Sequence, residues 1–142
     1  MKKHLILSAI TISLVFLFSS IGSAQTSTID KSKLVGIWQQ CDSTGVPVIT
    51  GPGFNEYKII TPESFNVLEV NKEDGTFIAV FFGTYTYENE IYTETLTYTT
   101  PQMVSAKGTK NSFYIAFRNN LLYINGINNS YKQVWKRMDR ID

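Results

Sequence analysis

From Lys33 onward, apolar and polar positions alternate, with Tyr, Phe, Val and Ile on one side and much Thr on the other. Period-two alternation broken by short turn clusters marks half-buried β-strands. The pattern predicts eight of them, over 34–41, 56–61, 64–71, 76–88, 91–100, 112–118, 121–125 and 131–138. No stretch holds a helical period for more than a turn or two. Two connections are long: the Gly- and Pro-containing segment 42–55, a candidate flap over one end of the sheet, and the segment 101–111, which opens on a proline.

Two hairpins make the pattern specific. A two-residue turn at Asn89-Glu90 would pair Tyr87 with Tyr92, Tyr85 with Glu94, Gly83 with Leu96 and Phe81 with Tyr98. One face then holds Phe81, Tyr85, Tyr87, Tyr92, Glu94, Leu96 and Tyr98. The other is largely threonine. Thr suits an exposed sheet surface, so the aromatic face is the inward one. A one-residue slip would exchange the two. A second turn at Asn119-Asn120 places Phe113, Ile115, Phe117, Leu122 and Ile124 on one apolar face. Asp74-Gly75 reads as a third turn, joining 64–71 to the long strand after it. Eight mainly antiparallel strands can bury such a face as a sandwich or as a closed barrel, and closure also removes edge strands.

The N-terminus changes the compartment. Met1-Lys2-Lys3-His4 is followed by a mostly apolar run to Ile21 and by Gly22-Ser23-Ala24, the three-part layout of a cleavable secretory signal. The expected organisation is therefore a signal peptide over 1–24, a polar leader over 25–32 and one domain over 33–142, in an exported protein, periplasmic or extracellular. Removing 24 of the 142 residues leaves 118, with 11 basic and 12 acidic side chains and a net charge of −1. That balance offers no footprint for nucleic acid, and no later stretch is apolar enough to span a membrane as a helix.

Absent residues narrow the chemistry. His4 is the only histidine and leaves with the signal, so the mature chain cannot build a histidine-activated nucleophile or a usual zinc site. Cys41 is the only cysteine; it reads as a small buried apolar side chain, or else as an intermolecular bridge or reactive thiol. No metal or cofactor is expected.

Gly36-Ile37-Trp38, at the start of the first strand, resembles the lipocalin signature. The last strand, Val134-Trp135-Lys136-Arg137-Met138, supplies a basic residue where such proteins often place one. The chain looks like the small lipocalin-like domains exported by gut-type bacteria, many without an assigned function. The resemblance implies a single antiparallel up-and-down lipocalin-like barrel of about eight strands. It also implies that Arg137 packs over Trp38 to close one barrel end. The chain departs from that family in being short, in lacking paired cysteines and in showing no C-terminal helix.

Glu94 is the informative interior position, since a carboxylate on an aromatic face must find a partner or shift its pKa. Tyrosine hydroxyls, Arg118 or Arg137 are the available partners; a wet barrel mouth is the alternative. All eight tyrosines lie beyond the signal, suiting an apolar wall that can hydrogen-bond. Trp38, Tyr85, Tyr92, Glu94 and Tyr98 are the candidate ligand-binding wall. The expected function is non-catalytic binding of a small hydrophobic or amphipathic molecule. The alternative is a protein-interaction or inhibitor module with a filled core, acting through segments 42–55 and 101–111 toward a protein partner the sequence does not name. An enzyme using Glu94 as general acid or base with a tyrosine is the third reading.

Overall fold

The computed structural model describes residues 29–51 and 53–139; the expected signal peptide lies outside the described residues. Nine strands run in chain order: β1 Gly36–Cys41, β2 Ile49–Thr50, β3 Phe54–Ile60, β4 Ser64–Asn71, β5 Phe77–Glu88, β6 Ile91–Thr99, β7 Lys110–Arg118, β8 Leu121–Gly126 and β9 Lys132–Met138. All pairings are antiparallel, in the spatial order β1-β9-β8-β7-β6-β5-β4-β3-β2. β1 also pairs with β3, from Gly36 opposite Ile60 to Gln39 opposite Tyr57, and this closes an eight-stranded barrel. β2 is the extra strand. It takes over from β1 along the same edge of β3, with Thr50 opposite Phe54.

Local chemistry explains the tight corners. Asn89 and Glu90 have φ of 50° and 66°, and Asn119 and Asn120 have 50° and 63°. Two successive positive φ values make the turn whose twist matches the flanking strands. At the Asp74-Gly75 corner, Gly75 adopts φ 71° and its N–H donates to the Asn71 carbonyl at 3.0 Å. Asp74 Oδ1 accepts from the Thr76 backbone N–H at 2.9 Å, holding the corner as an Asx turn.

The core lies inside the barrel. Leu34, Trp38, Ile60, Phe65, Val67, Tyr85, Tyr92, Leu96, Phe113, Leu122, Ile124 and Trp135 form one buried cluster. Thr84 and Thr86 are exposed, and Thr93, Thr95 and Thr97 are half-buried, so the threonine face does point outward.

One expectation on this hairpin is corrected. Tyr98 does not face inward; it is 62% exposed. The register shifts between Phe82 and Gly83, so Gly83 stands opposite Leu96 while Phe82 stands opposite Tyr98. Thr97 is the extra residue of a β-bulge, and one extra residue reverses the alternation beyond it. Tyr98 therefore stacks on the outside against Phe82, with ring centroids 5.8 Å apart. Gly83 makes the tight crossing possible: a Cβ there would collide with the Thr95 carbonyl and the Phe65 ring.

The segment after β1 does not cover a barrel end. It folds back along the outer wall, where Pro47 bridges to Cys41, the Val48 N–H donates to the Gln40 carbonyl at 3.1 Å, and Gly45 lies near Leu121 and Lys136. Cys41 and Leu121 are consequently buried although neither belongs to the interior cluster, and Tyr57 is buried outside that cluster too. The other long connection behaves differently. Pro101–Ala106 forms a 3₁₀ turn, after which the Gly108 N–H donates to the Leu96 carbonyl at 2.7 Å and the Leu96 N–H to the Thr109 carbonyl at 3.1 Å. Those bonds fasten the connection to the end of β6, at the barrel mouth.

Candidate functional site

The two barrel ends differ. At one, Asp30 Oδ1 caps a short 3₁₀ turn over Lys31–Leu34, and the turn lies across the opening. The Trp38 Nε1–H donates to the Leu34 carbonyl at 2.8 Å. Arg137 lies over the indole, its guanidinium carbon 4.6 Å from the ring centroid. It donates through Nη1 to the Val35 carbonyl at 2.9 Å and through Nη2 to the Lys33 carbonyl at 2.6 Å. Gly36 lets the guanidinium pass: its φ is 152°, and a Cβ there would strike Arg137. Arg137 thus ties β9 to the indole of Trp38 and to the backbone just before β1.

The other end holds a cavity of about 270 Å³. Val67, Phe81, Leu96 and Phe113 line its apolar side, with Met103 and Ala106 of the 3₁₀ turn over them. Glu56, Lys58 and Glu94 line it as charged groups; Thr109, Asn111, Tyr131 and Gln133 complete the wall.

Glu94 is 6% exposed and finds its partner in Lys58, not in an arginine. The Lys58 Nζ donates to Glu94 Oε1 at 2.6 Å, and the ammonium also stands 5.1 Å from the Trp135 ring and 5.4 Å from the Phe65 ring. Pairing plus aromatic faces offsets much of the desolvation that two buried charges cost. Arg118 instead lies over Tyr123 on the outside, at 5.7 Å.

Tyr92 is buried beside this pair. Burial first, and then the Glu94 charge, push its phenol well above the ordinary tyrosine range. Its hydroxyl makes no hydrogen bond of good geometry, and neither does the buried indole N–H of Trp135. Tyr85 lies further from the mouth, its hydroxyl donating to the Thr61 carbonyl at 2.8 Å and its ring 5.2 Å from that of Tyr92.

Of the candidate wall residues, Glu94 therefore lines the cavity and Tyr92 lies beneath it, packed on the lining residue Phe113 at 6.2 Å. Tyr85 is core, Trp38 belongs to the closed end, and Tyr98 faces out. Glu56 and Lys58 escaped the sequence reading. They share the inward face of β3, but Tyr57 and Ile59 between them look like the apolar face of that strand. Tyr57 is nevertheless buried on the far side, where the Gln39 Nε2 donates to its hydroxyl at 3.3 Å.

Residues 33–141 match the family model of a domain of unknown function, DUF4488. The chain belongs to this family. The DUF4488 chain also resembles the crystal structure of a lipocalin-like protein from Bacteroides uniformis. The TM-score is 0.50 at 16% identity, covering 75% of this chain and 99% of the other. An uncharacterised protein from Bacteroides eggerthii gives a TM-score of 0.49 at 16% identity over 73% and 98% of the two chains. No curated protein matches. The barrel is thus lipocalin-like, and that likeness speaks for fold alone. Among the described residues of this DUF4488 domain, no group of three His, Cys, Asp or Glu side chains is placed to hold a metal, and no helix is long and apolar enough to cross a membrane.

Proposed function

We propose that this protein, once exported, binds a small, partly apolar molecule in the cavity at the barrel mouth, without a covalent step. The observation that supports this best is the cavity itself. About 270 Å³ of space stands over a floor of charged side chains and against a wall of Val67, Phe81, Leu96 and Phe113. Ligand sites join such apolar walls to a few fixed polar groups. The size suits a small molecule, since it equals about nine waters' share of liquid volume. Met103 and Ala106 of the 3₁₀ turn line it too, and the residues after that turn are fastened to β6 by backbone bonds. The space also weighs against a filled-core interaction module. Catalysis at Glu94 has little support, because its carboxylate is already engaged by Lys58.

The test is titration with small apolar probes, followed by calorimetry, on the wild type and on Ala106→Trp. Ala106 lines the cavity from the 3₁₀ turn and is half-buried, so the larger ring would fill space rather than break a strand. Saturable binding that the filled variant loses, with an unchanged melting temperature, is the expected result. Binding that persists with the cavity filled would refute the reading.

A further inference from the structure

Resting on that binding reading, we propose that the cavity selects molecules bearing a primary ammonium group on an apolar body, with the Glu56 carboxylate as counter-ion. The charges around the space are unequal. Lys58, the only cationic lining residue among those described, is taken up by Glu94 at 2.6 Å and held between two aromatic rings. An anionic head would have to draw Lys58 away from Glu94 and would meet a second carboxylate as well. That second carboxylate is Glu56, on the same face of β3, half-buried, and outside the Lys58–Glu94 ion pair. Directly opposite it on β4 stands Glu69, whose Oε1 accepts only a long bond from Thr50 Oγ1 at 3.5 Å.

Like charges facing across a strand pair repel. Burial raises the Glu56 carboxyl above its usual range; Lys58 lowers it, and Glu69 raises it further. A bound cation at this place would relieve both carboxylates. Thr109, Asn111 and Gln133 supply oxygen acceptors to an ammonium's remaining N–H groups, and the apolar wall takes the rest of the molecule.

Three probes with one tail separate charge from apolar binding: n-octylamine, n-octanol and n-octanoate. Each is titrated by calorimetry at neutral pH and low salt into the full mature chain and into Glu56→Gln. Octylamine should bind about tenfold more tightly than octanol, the factor one partly desolvated ion pair provides, with octanoate weakest. Glu56→Gln should bring octylamine to the octanol value and leave octanol unchanged. Glu69→Gln, a separate neutralisation, should reduce the preference in the same direction. Octanoate or octanol binding as well as the amine, or a preference that survives Glu56→Gln, overturns the ammonium assignment alone. If none of the three binds, the cavity reading falls and this inference with it.

Discussion

Lys58 and Glu94 form a pair whose removal tests how the interior is held. Their side chains are 4% and 8% exposed, so solvent screens the 2.6 Å contact little. Lys58→Met keeps the aliphatic stem against Trp135 and Phe65 but leaves Glu94 as a buried, unpaired carboxylate. Glu94→Gln leaves a buried ammonium without a counter-charge. Breaking one side of a buried pair costs about 3–5 kcal/mol, whereas replacing both partners with uncharged groups is often near neutral. Each single variant should therefore lose about 3 kcal/mol, a fall of roughly 10–15 °C in Tm for a domain of this size. The double variant should recover most of the loss, so that the coupling in the cycle is on the order of 3 kcal/mol. Urea denaturation of the four proteins, read by circular dichroism and tryptophan fluorescence, measures it. Single losses below about 1 kcal/mol, or a double variant equal to the sum of the singles, would show that water reaches the pair and that the cavity floor is not dry.

Gly36→Ala should cost about 1–3 kcal/mol, because it combines a positive φ with a collision against Arg137. Combining it with Arg137→Ala should cost less than the two separate losses added, since the collision partner is gone; additive urea midpoints would disprove that contact. Because the Glu56 carboxyl is held above its usual value, the native chain binds that proton more tightly than the unfolded one. Its stabilising contribution is complete below the unfolded value and is lost as pH rises through the raised one. Glu56→Gln should thus match wild type in acid and exceed it near neutrality, and a pH-independent difference in urea midpoint would contradict this. Burial, then Asp42, push the Cys41 thiol up. It should react slowly with a thiol reagent in the native state and rapidly in urea, whereas fast native labelling would mean that the segment after β1 does not cover it.

Much of the barrel was legible from alternation and turn chemistry. The Asn89-Glu90 and Asn119-Asn120 turns set the register of both hairpins, and the β4 limits of Ser64–Asn71 follow from the same local rules. The inward orientation of Tyr85, Tyr92 and Glu94 follows too, because a side-chain period of two leaves only one face for the threonines. The resemblance of Gly36-Ile37-Trp38 to a known motif drew attention to Trp38 and Arg137, which pack together in the structure.

Three things needed the closed tertiary structure. A bulge at Thr97 reversed Tyr98, and nothing in Thr-Leu-Thr-Tyr marks where an extra residue will be accommodated; the packing of Gly83 on the Thr95 carbonyl decides it. The partner of Glu94 lies 36 residues away on β3, and only closure brings β3 and β6 across the same interior. Finally, Tyr57 is buried on the outer wall while Glu56 and Lys58 turn inward, a choice between two faces that the alternation within β3 leaves equal. Local rules act between neighbours along a strand or across one turn. The charge pattern of the cavity depends on strands far apart in the chain, and it exists only once the barrel has closed around it.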